Sequence, residues 1–340
     1  MQNLPWKAIK RIAPEQVHDI LCRAMVMDRV GMLSPVGRRT LAAELDMSER
    51  EVRAAADSLK NEGILSYGAG GMALTEEGWA LLPQMQALCR AFSGINELEQ
   101  ALSARLGIRH VTVVLGDADD SRSVLKDVGR AAALRLKQLT KDGMIIAISG
   151  GSTMYELARA AVPSACEVLV VPARGGFGSM TAIQADAVAE ELAHNINATC
   201  RLMHLPDGLN AHALEELLKL PDIGETIRLM RHADIIIHGI GRADDMALRR
   251  GMDERQRSDL SSLGADGEAL GDYFNAQGEL VYRSPSLSAE FSARKPGALV
   301  LSAAAGGKKA RAILAAVRHH PPDALIIDEA AANAMLRLMQ

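Results

Sequence analysis

Four glycine-bearing junctions in this sequence carry hydroxyls or cations at a spacing that suits a phosphate group. The first, Ser149-Gly150-Gly151-Ser152-Thr153, follows the apolar run Met144 to Ile148 and precedes helix-spaced Met154, Leu157 and Ala161. The second, Arg174-Gly175-Gly176, follows the run Val168 to Val171. Gly239-Ile240-Gly241-Arg242 follows Ile235 to His238, and Ala305-Gly306-Gly307-Lys308-Lys309 follows Ala298 to Ser302. Glycines let the backbone approach a ligand closely, and free N–H groups at a helix start favour an anion. Ser152 and Thr153 add hydroxyl donors, and Arg174 adds a fixed cation. A ligand-free βα turn with N-cap chemistry would use the same Gly-Gly-Ser-Thr types. The loop is not a P-loop, because no Gly-Lys-Ser/Thr follows, and it is not the GxGxxG dinucleotide fingerprint. Taken together, the four junctions imply a pocket for a polyanionic small molecule.

The elements around these junctions explain why they converge. From Ile108 onward β-like runs (Val111 to Leu115, Met144 to Ile148, Val168 to Val171, Thr199 to His204, Ile235 to His238, Ala298 to Ser302, Ala324 to Ile327) alternate with helical ones. The helical stretches are Arg122 to Leu139, Met154 to Ala161, Thr181 to Ile196, Ile223 to Met230, Lys308 to Val317 and Glu329 to Met339. Such alternation predicts an α/β, Rossmann-like fold with a mostly parallel sheet and helices on both faces. Right-handed crossovers put the strand ends on one edge, where such folds bind ligands. The stretch Asp259 to Asn275 is too polar to read as a strand and predicts a loop over the pocket. Within it Glu268 is either an acceptor for sugar hydroxyls or a solvated carboxylate. Arg249-Arg250 reads as a surface helix end within reach of a phosphate, and His238 as a buried, satisfied imidazole.

The first 90 residues follow a different pattern. Val17, Ile20, Leu21, Met25 and Val30 recur at helical spacing, and a short helix is predicted over Arg38 to Leu45. Ser48 and Glu51 have capping-box spacing, so a third helix starts at Ser48 and stops at Gly63, with Val52, Ala55, Ala56 and Leu59 on its apolar face. Two short β-like runs, Ile64 to Tyr67 and Met72 to Leu74, flank Gly68-Ala69-Gly70-Gly71, and Thr75 caps a further helix. Three helices and a hairpin describe a winged helix-turn-helix, whose third helix enters the major groove. That assigns Ser48, Glu49, Arg50 and Arg53 to the reading end, and Arg38, Arg39 and Lys60 to phosphates. A solvated helical bundle has the same element order, and residues 1–90 hold as many acidic as basic residues. From Thr75 to Leu106 the spacing stays helical, interrupted at Ser93-Gly94, which suits either a dimerising linker or packing onto the second domain.

At 340 residues and net charge −4, the chain predicts two domains, 1–90 and 91–340, and favours no partner by charge alone. No apolar run reaches the roughly 18 residues of a membrane span, and the start lacks a signal-peptide core. Cys22, Cys89, Cys166 and Cys200 lie far apart, which signals neither a metal site nor a disulfide framework, and predicts a cytoplasmic protein.

The motifs PVGRRTLAAELDMSEREVR, MALTEEG, ISGGST, VPARGG, IIHGIG, DYFNAQGE and AAGGKKARAI together resemble the SorC/DeoR-type bacterial transcriptional regulators over nearly the whole length. The resemblance implies an N-terminal winged helix-turn-helix on double-stranded operator DNA, and a C-terminal domain that senses a phosphorylated sugar without converting it. It also implies a homodimer or homotetramer and no cofactor. Within the family the motifs lie nearest a repressor of glycolytic genes, which implies fructose 1,6-bisphosphate as the effector that relieves repression. By motif matching, Gly150, Gly151, Ser152, Thr153 and Arg174 would hold one phosphate, Gln184 would contact ligand, and Arg249, Glu268 and Lys309 would cover the second phosphate and the hydroxyls. Ser152 stands where the family has Thr, Arg242 beside the third glycine loop is a departure, and Lys308 leaves open which lysine takes the phosphate. The rival reading is a phospho-sugar isomerase or deaminase on the same fold, which needs a general base; Glu268 is its candidate.

Overall fold

The computed structural model describes residues 6–176, 181–205, 216–217, 219–285, 288–289 and 294–340. The chain divides into two units, Met1–Glu97 and Leu98–Gln340. The first unit runs α1 (Trp6–Ile12), α2 (Pro14–Leu33), α3 (Arg38–Leu45), α4 (Glu49–Asn61), β1 (Leu65–Gly68), β2 (Gly71–Leu74) and α5 (Glu76–Ser93). The Ser48 hydroxyl accepts from the Glu51 N–H at 3.2 Å while the Ser48 N–H donates to the Glu51 carboxylate at 2.9 Å. This satisfies two otherwise orphaned donors and fixes where α4 begins. Gly63, at φ 75, ends it, and the expected face of Val52, Ala55, Ala56 and Leu59 is buried against Val26, Met27, Val30, Leu41 and the hairpin. Thr75 caps α5 through the Gly78 N–H, and Gly94, at φ 70, separates α5 from α6 (Ile95–Leu106).

The second unit is built on seven strands: β3 (His110–Val114), β4 (Ile145–Ile148), β5 (Leu169–Pro172), β6 (Thr199–Cys200), β7 (Ile235–Gly239), β12 (Leu299–Ala303) and β13 (Ala324–Asp328). Their order is β3-β13-β12-β7-β4-β5-β6, and every pairing is parallel. The strands alternate as a sheet covered on both faces requires. Ile146, Ile148, Ile235 and Ile237 enter one apolar core, while Ala147 and Ile236 enter the other. The first core is closed by α7 (Arg122–Leu139), α8 (Ser152–Ala160) and α9 (Ala185–Ile196). Gly129 of α7 lets it approach α8 closely, since a Cβ there would stand 2.6 Å from the Glu156 backbone. Strand order moves outward one way from β4 through β6 and the other way from β7 through β13, so the winding reverses between β4 and β7. A crevice opens beyond the strand ends at such a reversal. Ser149 ties the two sides together: its N–H donates to the Ile237 carbonyl at 2.9 Å, and its hydroxyl accepts from the Gly239 N–H at 3.3 Å.

The stretch read as a polar loop over the pocket is regular structure. After α10 (Pro221–Arg231), β8 (Gly241–Arg242) and α11 (Ala243–Arg249), the chain forms α12 (Glu254–Ser262), β9 (Ala265–Ala269), β10 (Asp272–Asn275) and β11 (Leu280–Arg283). β8 to β11 make a four-stranded antiparallel sheet. Its polar residues are buried because they are paired: Asp272 sits 2.6 Å from Arg283, and Glu268 lies between arginines. The β9–β10 turn is Leu270-Gly271, both at positive φ (52 and 99), a two-residue hairpin without the Asn-Gly or Asp-Gly signature. Two further boundaries differ from expectation. Only Thr199–Cys200 of the Thr199 to His204 run pairs in the sheet, and Thr181–Ile183 is a separate 3₁₀ turn before α9. The unit ends with α13 (Ala310–His319) and α14 (Glu329–Leu338). Among the described residues, no helix is long and apolar enough to cross a membrane.

Candidate functional site

A cavity of about 340 Å³ opens at the winding reversal, within the range of small-ligand sites. All nine residues singled out in the second domain line it: Gly150, Gly151, Ser152, Thr153, Arg174, Gln184, Arg249, Glu268 and Lys309. They arrive on several separate elements. Gly151, at φ 110, turns the chain from β4 into α8, and its N–H is held by the Ile183 carbonyl at 2.8 Å. Gly150 packs against the same segment, where a Cβ would lie 2.5 Å from the Ile183 oxygen. The residue that begins α8, Gly151, has no side chain to cap it, and the first turn of the helix, with the positive end of its dipole, lines the cavity. Gln184 begins α9 beside that same loop, its backbone carbon 3.2 Å from where a Cβ on Gly150 would stand, and Lys309 precedes α13.

The charges are arranged in pairs. Arg174 is buried and stands 3.2 Å from Glu268, so the cation expected to be free for a phosphate is internally paired. Arg250, read as a surface helix end, is instead a buried group 2.5 Å from the same Glu268 oxygen. Its neighbour Arg249 is half-exposed, reaches the cavity, and pairs with Asp245 at 3.0 Å. The wall therefore holds three cations (Arg174, Arg249, Lys309) against two carboxylates (Asp245, Glu268). The Lys309 ammonium is pushed below its ordinary pKa, first by burial and then by Arg249, the condition an incoming anion would relieve. Of the two adjacent lysines, Lys309 lines the cavity; Lys308 is exposed, with its N–H on Asp119 at 2.9 Å. Arg242 points elsewhere, pairing with Asp244.

Asp245, Met246 and Leu270 also line the cavity and were not foreseen. Helix α11 is too short and too charged to show apolar periodicity, though Asp245 and Arg249 do stand four apart, the spacing of a helical ion pair. His238 is as expected: buried, with Nε2 2.8 Å from the Ser302 hydroxyl and Nδ1 donating to the Gly239 carbonyl at 3.0 Å.

In the first unit Arg38, Arg39, Ser48, Glu49, Arg50, Arg53 and Lys60 are all exposed, around the start of α3 and along α4. Four of them have partners within the unit. The Ser48 hydroxyl is used by the α4 cap, and Lys60 lies over the Tyr67 ring of the hairpin at 4.9 Å. Arg39 faces Glu49 at 3.6 Å, a solvent-screened contact.

Sequence comparison matches residues 20–89 to a central glycolytic regulator N-terminal DNA-binding domain and residues 90–337 to a sugar-binding domain. The chain belongs to the SorC/DeoR family of sugar-binding transcriptional regulators. It is 32% identical to the central glycolytic genes regulator of Bacillus subtilis, over 97% of this chain and 98% of that protein, and equally similar to its counterpart in Priestia megaterium over 96% and 97%. A SorC family transcriptional regulator from Enterococcus faecalis is 33% identical, with a TM-score of 0.67 over 71% of this chain and 99% of the solved one. The full-length sorbitol operon regulator from Klebsiella pneumoniae shares the fold at 17% identity, with a TM-score of 0.64 over 88% of this chain and 94% of the other. With a DNA-binding module joined to a sugar-binding one, this family member is a sugar-responsive transcription regulator and not an enzyme. Glu268, the candidate base of the enzymatic reading, sits between two guanidinium groups.

Proposed function

We propose that the protein is a cytoplasmic repressor of glycolytic genes, acting as a homodimer or homotetramer, whose hold on operator DNA is released by fructose 1,6-bisphosphate. The observation that carries the reading is the make-up of the cavity wall: the start of α8 with Ser152 and Thr153 follows β4, while Arg249 and Lys309 follow β7 and β12 on the other side of the winding reversal. Two anionic ends joined by hydroxyls suit that division. In this reading Gly150, Gly151, Ser152, Thr153 and Arg174 take one phosphate, and Arg249 and Lys309 take the other. Gln184 and Glu268 meet the sugar. Residues 91–340 form the effector domain, and residues 1–90 present Arg50, Arg53 and Glu49 to bases, with Arg38, Arg39 and Lys60 on phosphates. Release requires that the sugar phosphate bind the DNA-free state more tightly, since equal affinity shifts no equilibrium.

A thermal-shift series with fructose 1,6-bisphosphate, fructose 6-phosphate, glucosamine 6-phosphate and inorganic phosphate tests this. At about one hundred times its Kd a ligand adds ~2.7 kcal/mol, a rise of several degrees for a domain this size. The bisphosphate should give the largest rise and, at the same concentration, dissociate the operator complex in a gel-shift assay. A series in which no phospho-sugar moves the Tm overturns the proposal.

A further inference from the structure

Arg250 ends helix α11 and, unlike Arg174 and Arg249, takes no part in the cavity wall. Its side chain is 4% exposed. The guanidinium donates to Glu268 Oε1 at 2.5 Å and to the Ser284 hydroxyl at 2.9 Å, with its carbon 5.8 Å from the Tyr273 ring centre. The Gly271 N–H donates to that same Oε1 at 2.6 Å, and Arg174 does so at 3.2 Å. Three donors thus converge on one oxygen of a wall carboxylate. Among the described residues, none donates to the other oxygen, Oε2. It lies beside Gly241, 3.9 Å from where a Cβ on that residue would be. A carboxylate anchored through one oxygen, with the second turned toward a cavity, accepts a hydroxyl and repels an anion.

We propose that Arg250 is the positioning residue for ligand selection: it clamps Glu268 so that Oε2 stays presented to a sugar hydroxyl. The assignment rests on the reading of the cavity as a phospho-sugar site. Arg250 and Gly271 hold Oε1 from the side away from the ligand, so Arg174 can turn toward an anion without leaving a buried carboxylate bare, an arrangement that is costly in a protein interior. Without Arg250, Glu268 closes on Arg174. The hydroxyl acceptor is then lost and a phosphate-facing cation is withdrawn, which penalises a sugar phosphate more than phosphate alone.

Calorimetric titration of the full chain with fructose 1,6-bisphosphate and with inorganic phosphate separates this role from general support of the fold. Arg250→Met should weaken the bisphosphate at least about tenfold, the loss expected for a charge-assisted hydrogen bond, and inorganic phosphate, which keeps the Arg249 and Lys309 part of the wall, by less than about twofold. In a Glu268→Gln background the same substitution should cost less than about twofold, because no charge remains to clamp. Arg250→Lys, which keeps the cation, should fall between wild type and Arg250→Met, and carries the test where the Met variant does not fold. A parallel loss of both ligands, or an equal loss in both backgrounds, overturns the assignment while leaving the phospho-sugar reading intact. A wild-type chain that binds no phospho-sugar overturns both.

Discussion

His238 stands one residue before the end of strand β7 beside the pocket, yet its ring is turned into the protein, bonded to Ser302 and to the Gly239 carbonyl. Burial pushes its pKa down to about 4, against weaker opposing effects from the Gly239 hydrogen bond and Glu268. Above the unfolded value of about 6.5 both states are neutral and the residue adds no pH dependence. Between about 6.5 and 4 the unfolded chain takes a proton that the folded chain refuses, so stability falls as the pH falls, by about 2 kcal/mol at pH 5. Urea unfolding at pH 7 and pH 5 should therefore show a larger drop for wild type than for His238→Gln; equal drops would mean the imidazole charges in the folded state. Gly150 to Thr153, Arg174 and Lys309 were legible at this scale because glycines, hydroxyls and cations recur together at the strand ends, whereas Gln184 and Glu268 were assigned to the ligand only through the family resemblance. Arg250 was not legible, because a cation in a charged helical stretch looks the same whether it faces water or a carboxylate contributed by residues 18 positions away.

Elements add constraints that single residues do not show. The α8 start is held from two sides: by the Ile183 carbonyl at its loop, and by close packing of α7 on its body at Gly129. Gly129→Ala would drive a methyl into the Glu156 and Leu157 backbone, so the helices must part. The expected result is a loss of roughly 1–3 kcal/mol of stability, with several-fold weaker phospho-sugar binding although residue 129 is absent from the cavity wall. Denaturant midpoints and the ligand thermal shift measure the two effects; stability lost with the shift unchanged would show that α8 can move without consequence for the site. The parallel sheet was readable because its strands are continuous apolar runs between helical spacings. The antiparallel sheet was not, because β9 and β10 bury Glu268 and Asp272 as ion pairs, and pairing across the fold leaves no trace in local hydropathy. Leu270-Gly271 likewise lacks the turn chemistry that marks a hairpin.

At the scale of the whole molecule, two functions on two units predict separable losses. Arg50→Ala or Arg53→Ala should weaken operator binding about tenfold and relax its preference at the base pair that the lost arginine reads, leaving the fructose 1,6-bisphosphate thermal shift unchanged. Operator affinity equal to wild type would move DNA reading to another element. The large sheet carries a further consequence. Strand β3 occupies one edge and is paired along its length with β13, His110 opposite Ala324 through Val114 opposite Asp328. As a nascent chain leaves the ribosome, the winged unit holds both of its strands once Gly71–Leu74 is made, but β3 must wait for Ala324–Asp328 before it gains its neighbour. Loop closure over so long a separation is slow, and a waiting strand is exposed to wrong partners. A message cut short before codon 324 would then release a protein with a finished DNA reader and an unfinished sensor.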